Sequence, residues 1–156
     1  MFGSGIKEIV IDNRWNLCQI AFAVFLVVLA VADVRKKRLP LLLLLSGGFF
    51  IIAQSFCDRD ISVISLAAGG MTGVLFLFVS RITKEAFGYG DSILILIMGT
   101  FLGFWDILYL LMGAFLMAAV FSAVMLIKTR FDRKASFPFV PFLTIAYIGG
   151  MLLGNY

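Results

Sequence analysis

The sequence predicts an all-α fold, a polytopic membrane helical bundle of about six transmembrane helices forming one domain over residues 1–156, and three observations predict it. Hydrophobic residues make up 62% of the chain and charged ones 14%, with a mean hydropathy of +1.08, whereas a soluble domain carries about a quarter charged residues. The apolar residues gather in stretches suited to a hydrocarbon core about 30 Å thick, separated by short polar breaks. The basic residues gather in alternate breaks, the pattern that lateral charge bias gives a multi-pass protein.

The first stretch runs from Asn16 to Ala32 and is followed by Arg35-Lys36-Lys37-Arg38, a run that anchors it as a spanning helix. A cleaved signal peptide is the rival reading, because Ala30-Val31-Ala32 resembles a small-residue cleavage site, but the cationic run would then have to be exported. The second stretch, Leu39 to Phe56, and the third, Ile61 to Ser80, flank a break with Arg59. The fourth, Asp91 to Trp105, abuts the fifth, Asp106 to Ile127, and the sixth runs from Phe137 to Gly154. Glycines recur inside these stretches, among them Gly69, Gly73, Gly99 and Gly103, and small residues let membrane helices approach closely. Met and Phe inside the spans are read as core or lipid-facing residues.

Ten of the thirteen basic residues lie in the first, third and fifth breaks: Arg35 to Arg38, Arg81 and Lys84, and Lys128, Arg130, Arg133 and Lys134. Those breaks are predicted to be cytoplasmic, with both termini on the outer side and Trp15 and Trp105 in the outer interface. The sequence pI of about 9.3 is then a matter of topology, and no nucleic-acid partner is implied. The run Arg35 to Arg38 suits anionic lipid headgroups, each such residue contributing about 1 kcal/mol near the surface.

Histidine is absent, which removes Ser-His and Cys-His nucleophile systems and the His-Glu-x-x-His metal site. Cys18 and Cys57 are far apart and make no Cys-x-x-Cys pair, so no metal or other cofactor is expected. Acid–base chemistry must therefore use carboxylates, Lys, Tyr or thiols. Ser80 and Lys84 could share a helix face at i and i+4, but that spacing is unspecific.

Seven acids, Glu8, Asp12, Asp58, Asp60, Glu85, Asp106 and Asp132, sit in or beside polar breaks. Asp33 and Asp91 differ: one ends the first span, the other begins the fourth, and both belong to the predicted cytoplasmic face. An ionisable group in such a place is a functional hypothesis by default. Two carboxylates at one depth suit an aspartyl peptidase, in which one accepts a proton from water while the other, protonated, donates to the scissile carbonyl oxygen. The same positions admit a plainer reading, with Asp33 neutralising the basic run and Asp91 capping its helix. Gly88-Tyr89-Gly90-Asp91 favours the first reading, because its glycines would permit unusual backbone conformations and close approach of a peptide.

Three segments resemble the type IV prepilin peptidases, Gly-x-Gly-Asp membrane aspartyl proteases. Asp33-Val34-Arg35-Lys36-Lys37-Arg38-Leu39-Pro40 is similar to the family's first-aspartate segment, Gly88 to Asp91 to its second, and Pro138-Phe139-Val140-Pro141-Phe142 to its proline-rich start of a late helix. The resemblance implies that Asp33 and Asp91 form the catalytic pair, supported by Gly88, Gly90, Pro40, Pro138 and Pro141, without a metal. It also implies cleavage of a short basic leader from pilin-like precursors at the cytoplasmic face of a bacterial inner membrane. Leu41 and Ile93 depart from the family pattern, which commonly has Asn and Lys there. No segment matches the cysteine-rich zinc-binding part of longer relatives, so the resemblance is to a short, peptidase-only form. The alternative from another class is a noncatalytic scaffold or small transporter, with Asp33 and Asp91 as structural or pathway charges. A presenilin-like intramembrane peptidase would share the second motif but not the segment at Asp33.

Overall fold

A computed structural model describes residues 2–36, 41–54, 61–83, 88–128 and 138–154, with side chains from residue 14 onward. These residues form six helices and no strand: α1 (Phe2–Lys36), α2 (Leu41–Gln54), α3 (Val63–Ile82), α4 (Tyr89–Leu102), α5 (Phe104–Lys128) and α6 (Val140–Leu152). Three are long and apolar enough to cross a membrane: the Arg14–Lys36 part of α1, α3 and α5. Helices α2, α4 and α6 are apolar but contain 14, 14 and 13 residues, about 20 Å at 1.5 Å per residue. The protein is an integral membrane helical bundle, as the sequence predicts.

Several boundaries shift by a few residues, and two of the differences have a clear physical reason. The first helix continues back to Phe2 instead of starting at Asn16. The fourth and fifth helices part at Gly103, not between Trp105 and Asp106. Gly103 has φ 96°, a left-handed conformation that a side chain would strain. Its N–H donates to the Gly99 carbonyl at 2.9 Å, and the Ser65 hydroxyl accepts from the Phe104 N–H at 3.2 Å. A serine on α3 thereby satisfies one of the free donors at the start of α5.

Helix α4 lies at the centre, packed on α2, α3 and α5, with Leu94, Ile95, Met98 and Phe101 fully buried. Phe22 of α1 stacks on Phe101 at 4.4 Å between ring centroids and meets Phe50 and Tyr147 at 5.2 and 5.4 Å. One aromatic cluster therefore joins α1, α2, α4 and α6. Trp15 stacks on Phe101 at 5.5 Å, so it packs on the bundle as well as marking an end, whereas Trp105 is 67% exposed.

Two helix pairs are held by different contacts. Between α3 and α4, a Cβ on Gly69 would strike the Gly99 carbonyl oxygen, and one on Gly73 would strike Leu96. The Gly-x-x-x-Gly spacing recurs on both sides, Gly69 to Gly73 within α3 and Gly99 to the C-cap Gly103 at the end of α4, and the backbones approach closely there. Between α1 and α6, hydrogen bonds add to the Phe22–Tyr147 ring contact. The Tyr147 hydroxyl donates to the Gln19 carbonyl at 3.4 Å, and Thr144 Oγ1 lies 3.3 Å from the Leu26 carbonyl and 2.9 Å from that of Val140.

Candidate active site

The contacts fix which helix ends share a face of the bundle. Gly69 meets Gly99 while Gly73 meets Leu96, so α3 and α4 are antiparallel. Ser65 meets Phe104 and Phe76 meets Phe115, so α3 and α5 are parallel. Trp15 near the start of the apolar part of α1 packs on Phe101 near the end of α4, and Gln19 pairs with Tyr147 late in α6, so α1 runs opposite to both. One end of the bundle consequently gathers the C-terminal ends of α1, α3 and α5 and the N-terminal ends of α4 and α6. The cations in the last turns of those three helices, Arg35 with Lys36, Arg81 and Lys128, lie at this end. Trp15 and Trp105 lie towards the other.

Asp33 and Asp91 both lie at the cationic end. Asp33 is one turn from the end of α1 and 7% exposed, while its neighbours Arg35 and Lys36 are exposed. The acid and these two cations face different ways, which weighs against simple neutralisation of the basic run. Asp91 is half-buried in the first turn of α4, three residues beyond the N-cap Gly88, a favourable place for a carboxylate in the helix field. Asp33 lies close enough for its charge to act on Asp91.

Each acid is held by its own surroundings. One Asp33 carboxyl oxygen accepts a hydrogen bond from the Val140 backbone N–H, and Oδ2 is buried without a hydrogen-bond partner among the described residues. Asp91 Oδ2 lies back over Gly88, where a Cβ would come within 3.1 Å of it. Ser92, fully buried, donates from Oγ to the Gly88 carbonyl at 3.2 Å and fixes the turn that carries Asp91.

Gly88 is the N-cap of α4, with φ −58°, and Gly90 is helical. The expectation of unusual backbone conformations at this motif is corrected: Gly88 gives room for the carboxylate while its φ is open to any residue. Pro138 precedes the N-cap Phe139, and Pro141 is the second residue of α6. Pro40 lies outside the described residues, as do Cys57, Lys84 and most of the basic break after Lys128. Leu41 opens α2 at 63% exposure, and Ile93 packs against the core. Among the described residues no group of three or more His, Cys, Asp or Glu side chains could hold a metal ion.

The sequence reading missed the Val140 N–H. Its signal was present in Pro141, which marks a helix start, where the first N–H groups have no partner within the helix.

This constellation defines a class: a polytopic membrane protein with two carboxyls gathered at one end of its bundle, Asp33 within electrostatic reach of Asp91. Residues 20–123 match the type IV leader peptidase family, and the chain belongs to that family. It is 29% identical over 138 residues to a prepilin leader peptidase/N-methyltransferase of Pectobacterium carotovorum subsp. carotovorum, covering 85% of this chain and 50% of that protein. Proteins of the same description from Xanthomonas campestris pv. campestris and Aeromonas salmonicida are 29% identical over 133 and 136 residues, covering 81% and 83% of this chain and 46% and 47% of theirs. The chain thus spans about half the length of the curated relatives it matches. No solved structure matches it.

Proposed function

We propose that this chain is an aspartyl endopeptidase that removes a short basic leader from pilin-like precursors at the cytoplasmic face of a bacterial inner membrane. The observation that carries the proposal is the gathering of Asp33 and Asp91 at one end of the bundle, delivered by the end of one helix and the start of another, with Asp33 acting on Asp91 through its charge and an Asp33 oxygen buried without a hydrogen-bond partner among the described residues.

Two adjacent anions repel, so the pair holds one proton between them. The ionised carboxylate takes a proton from a water molecule as its oxygen attacks the scissile carbonyl carbon. The protonated partner gives its proton to the carbonyl oxygen. Collapse of the tetrahedral intermediate breaks the C–N bond, and the departing amine takes up a proton from the dyad. No metal is required for this sequence. The clustering of Arg35, Lys36, Arg81 and Lys128 at the same end supports the cytoplasmic orientation, and their attraction to anionic headgroups keeps them from repelling a basic leader.

Sealed vesicles test activity and orientation together. Inside-out vesicles carrying the protein should cut an added pilin-like precursor between its leader and its apolar helix, read by mass spectrometry, and right-side-out vesicles should not. Cleavage in right-side-out vesicles alone would reverse the orientation, and cleavage in neither would sink the peptidase reading.

A further inference from the structure

We infer that Val140 is a positioning residue for Asp33, acting through its backbone N–H and not through its side chain; this rests on the peptidase reading above. The first turn of α6 explains why that donor is available. Its N-cap Phe139 makes no side-chain cap bond, and Pro141 has no N–H to give. The next two donors, Phe142 and Leu143, turn back to the Phe139 carbonyl at 3.1 and 3.3 Å. The Val140 N–H alone among these leaves the helix, and it meets the Asp33 carboxyl.

The donor is also fixed in place. The Val140 side chain is fully buried, and farther along α6 Thr144 and Tyr147 reach the α1 carbonyls of Leu26 and Gln19. Asp33, Leu26 and Gln19 are seven residues apart in turn, on one stripe of α1. A carboxyl held at one oxygen by a fixed donor keeps its rotamer and leaves Oδ2 for the attacking water or for Asp91. Displacement of a reacting group by about 1 Å can cost about 10²-fold in rate, so loss of the donor should appear in kcat and not in KM.

The test deletes the N–H while keeping the helix. Val140→Pro does this at a position where proline suits a helix start, but its ring also restricts Phe139. Incorporation of the α-hydroxy analogue of valine at 140 is therefore the second variant, exchanging the amide for an ester of nearly the same shape. Val140→Ala keeps the N–H and serves as the conservative control. In the full chain reconstituted with a pilin-like precursor, the ester variant is expected to lose about 10²-fold in kcat, with KM within about twofold and a thermal unfolding curve close to that of the unmodified protein. Val140→Ala should retain most of its activity. A folded ester variant with near-normal kcat, a loss confined to KM, or an equal loss in Val140→Ala would each overturn the inference while the peptidase reading stood. Failure of the unmodified chain to cleave would remove that reading and this inference together.

Discussion

Asp91 and Asp33 reach the same end of the bundle on helices held by opposite means. The helix bearing Asp91 is pressed against α3 backbone to backbone, with Gly69 against Gly99 and Gly73 against Leu96. The helix bearing Asp33 is held to α6 through side chains, with Phe22 against Tyr147 and the Thr144 and Tyr147 hydroxyls reaching its carbonyls. In lipid there is little hydrophobic force between helices, so close van der Waals packing and interhelical hydrogen bonds do the holding. The first kind tolerates almost no added volume. The second is spread over several weak contacts, each of which can be lost alone.

The sharpest way to break the α3–α4 side is Gly69→Leu. Its new side chain meets the Gly99 backbone, which cannot swing aside, so the cost should exceed the roughly 1–3 kcal/mol usual for overpacking. The expected result is a large drop in thermal stability in detergent, or no folded protein. Gly48→Leu is the control, because a Cβ there meets nothing within 4 Å. If both variants unfold at the temperature of the unmodified protein, the close packing of α3 on α4 is wrong.

The α1–α6 side should give more gently. Thr144→Val keeps the shape of the side chain and removes a hydroxyl whose single proton is shared between the Leu26 and Val140 carbonyls. Interhelical hydrogen bonds in membranes average about 0.6 kcal/mol and reach about 1.7, so the variant should remain folded with a small fall in unfolding temperature. A loss as large as that of Gly69→Leu would show that one hydroxyl, and not the distributed contact, holds α6 to α1.

Much of this was legible before the fold. The apolar stretches marked the helices, the alternate-break cations marked one end, and the small residues at 69, 73, 99 and 103 marked a close crossing. Asp33 and Asp91 were singled out by their places at span ends. Less legible was the break at Gly103, because Trp105 and Asp106 offered a louder polar signal than a single glycine, and periodicity does not report φ. The backward extension of α1 to Phe2 was hidden for a similar reason: hydropathy marks the apolar part of a helix and not the helix. The Val140 contact depends on which donor at the start of α6 is free and on the proximity of α1, and only the first of these is written in the local sequence.

Whether Asp33 and Asp91 act as one proton-sharing pair is measured directly by cleavage of a pilin-like precursor with the purified Asp33→Asn and Asp91→Asn proteins beside Asp106→Asn. An amide keeps the approximate shape of a carboxyl but cannot exchange the proton. General acid–base participation commonly contributes about 10²- to 10⁴-fold in rate, and members of a coupled pair are not additive. Each dyad variant should therefore lose at least about 10²-fold in kcat while unfolding as the unmodified protein does. Asp106, in the first turn of α5 at the opposite end, should be replaceable with activity kept. Near-normal cleavage by either folded dyad variant would show that its aspartate is not catalytic, and near-normal cleavage by both would contradict the aspartyl mechanism while leaving the membrane fold intact.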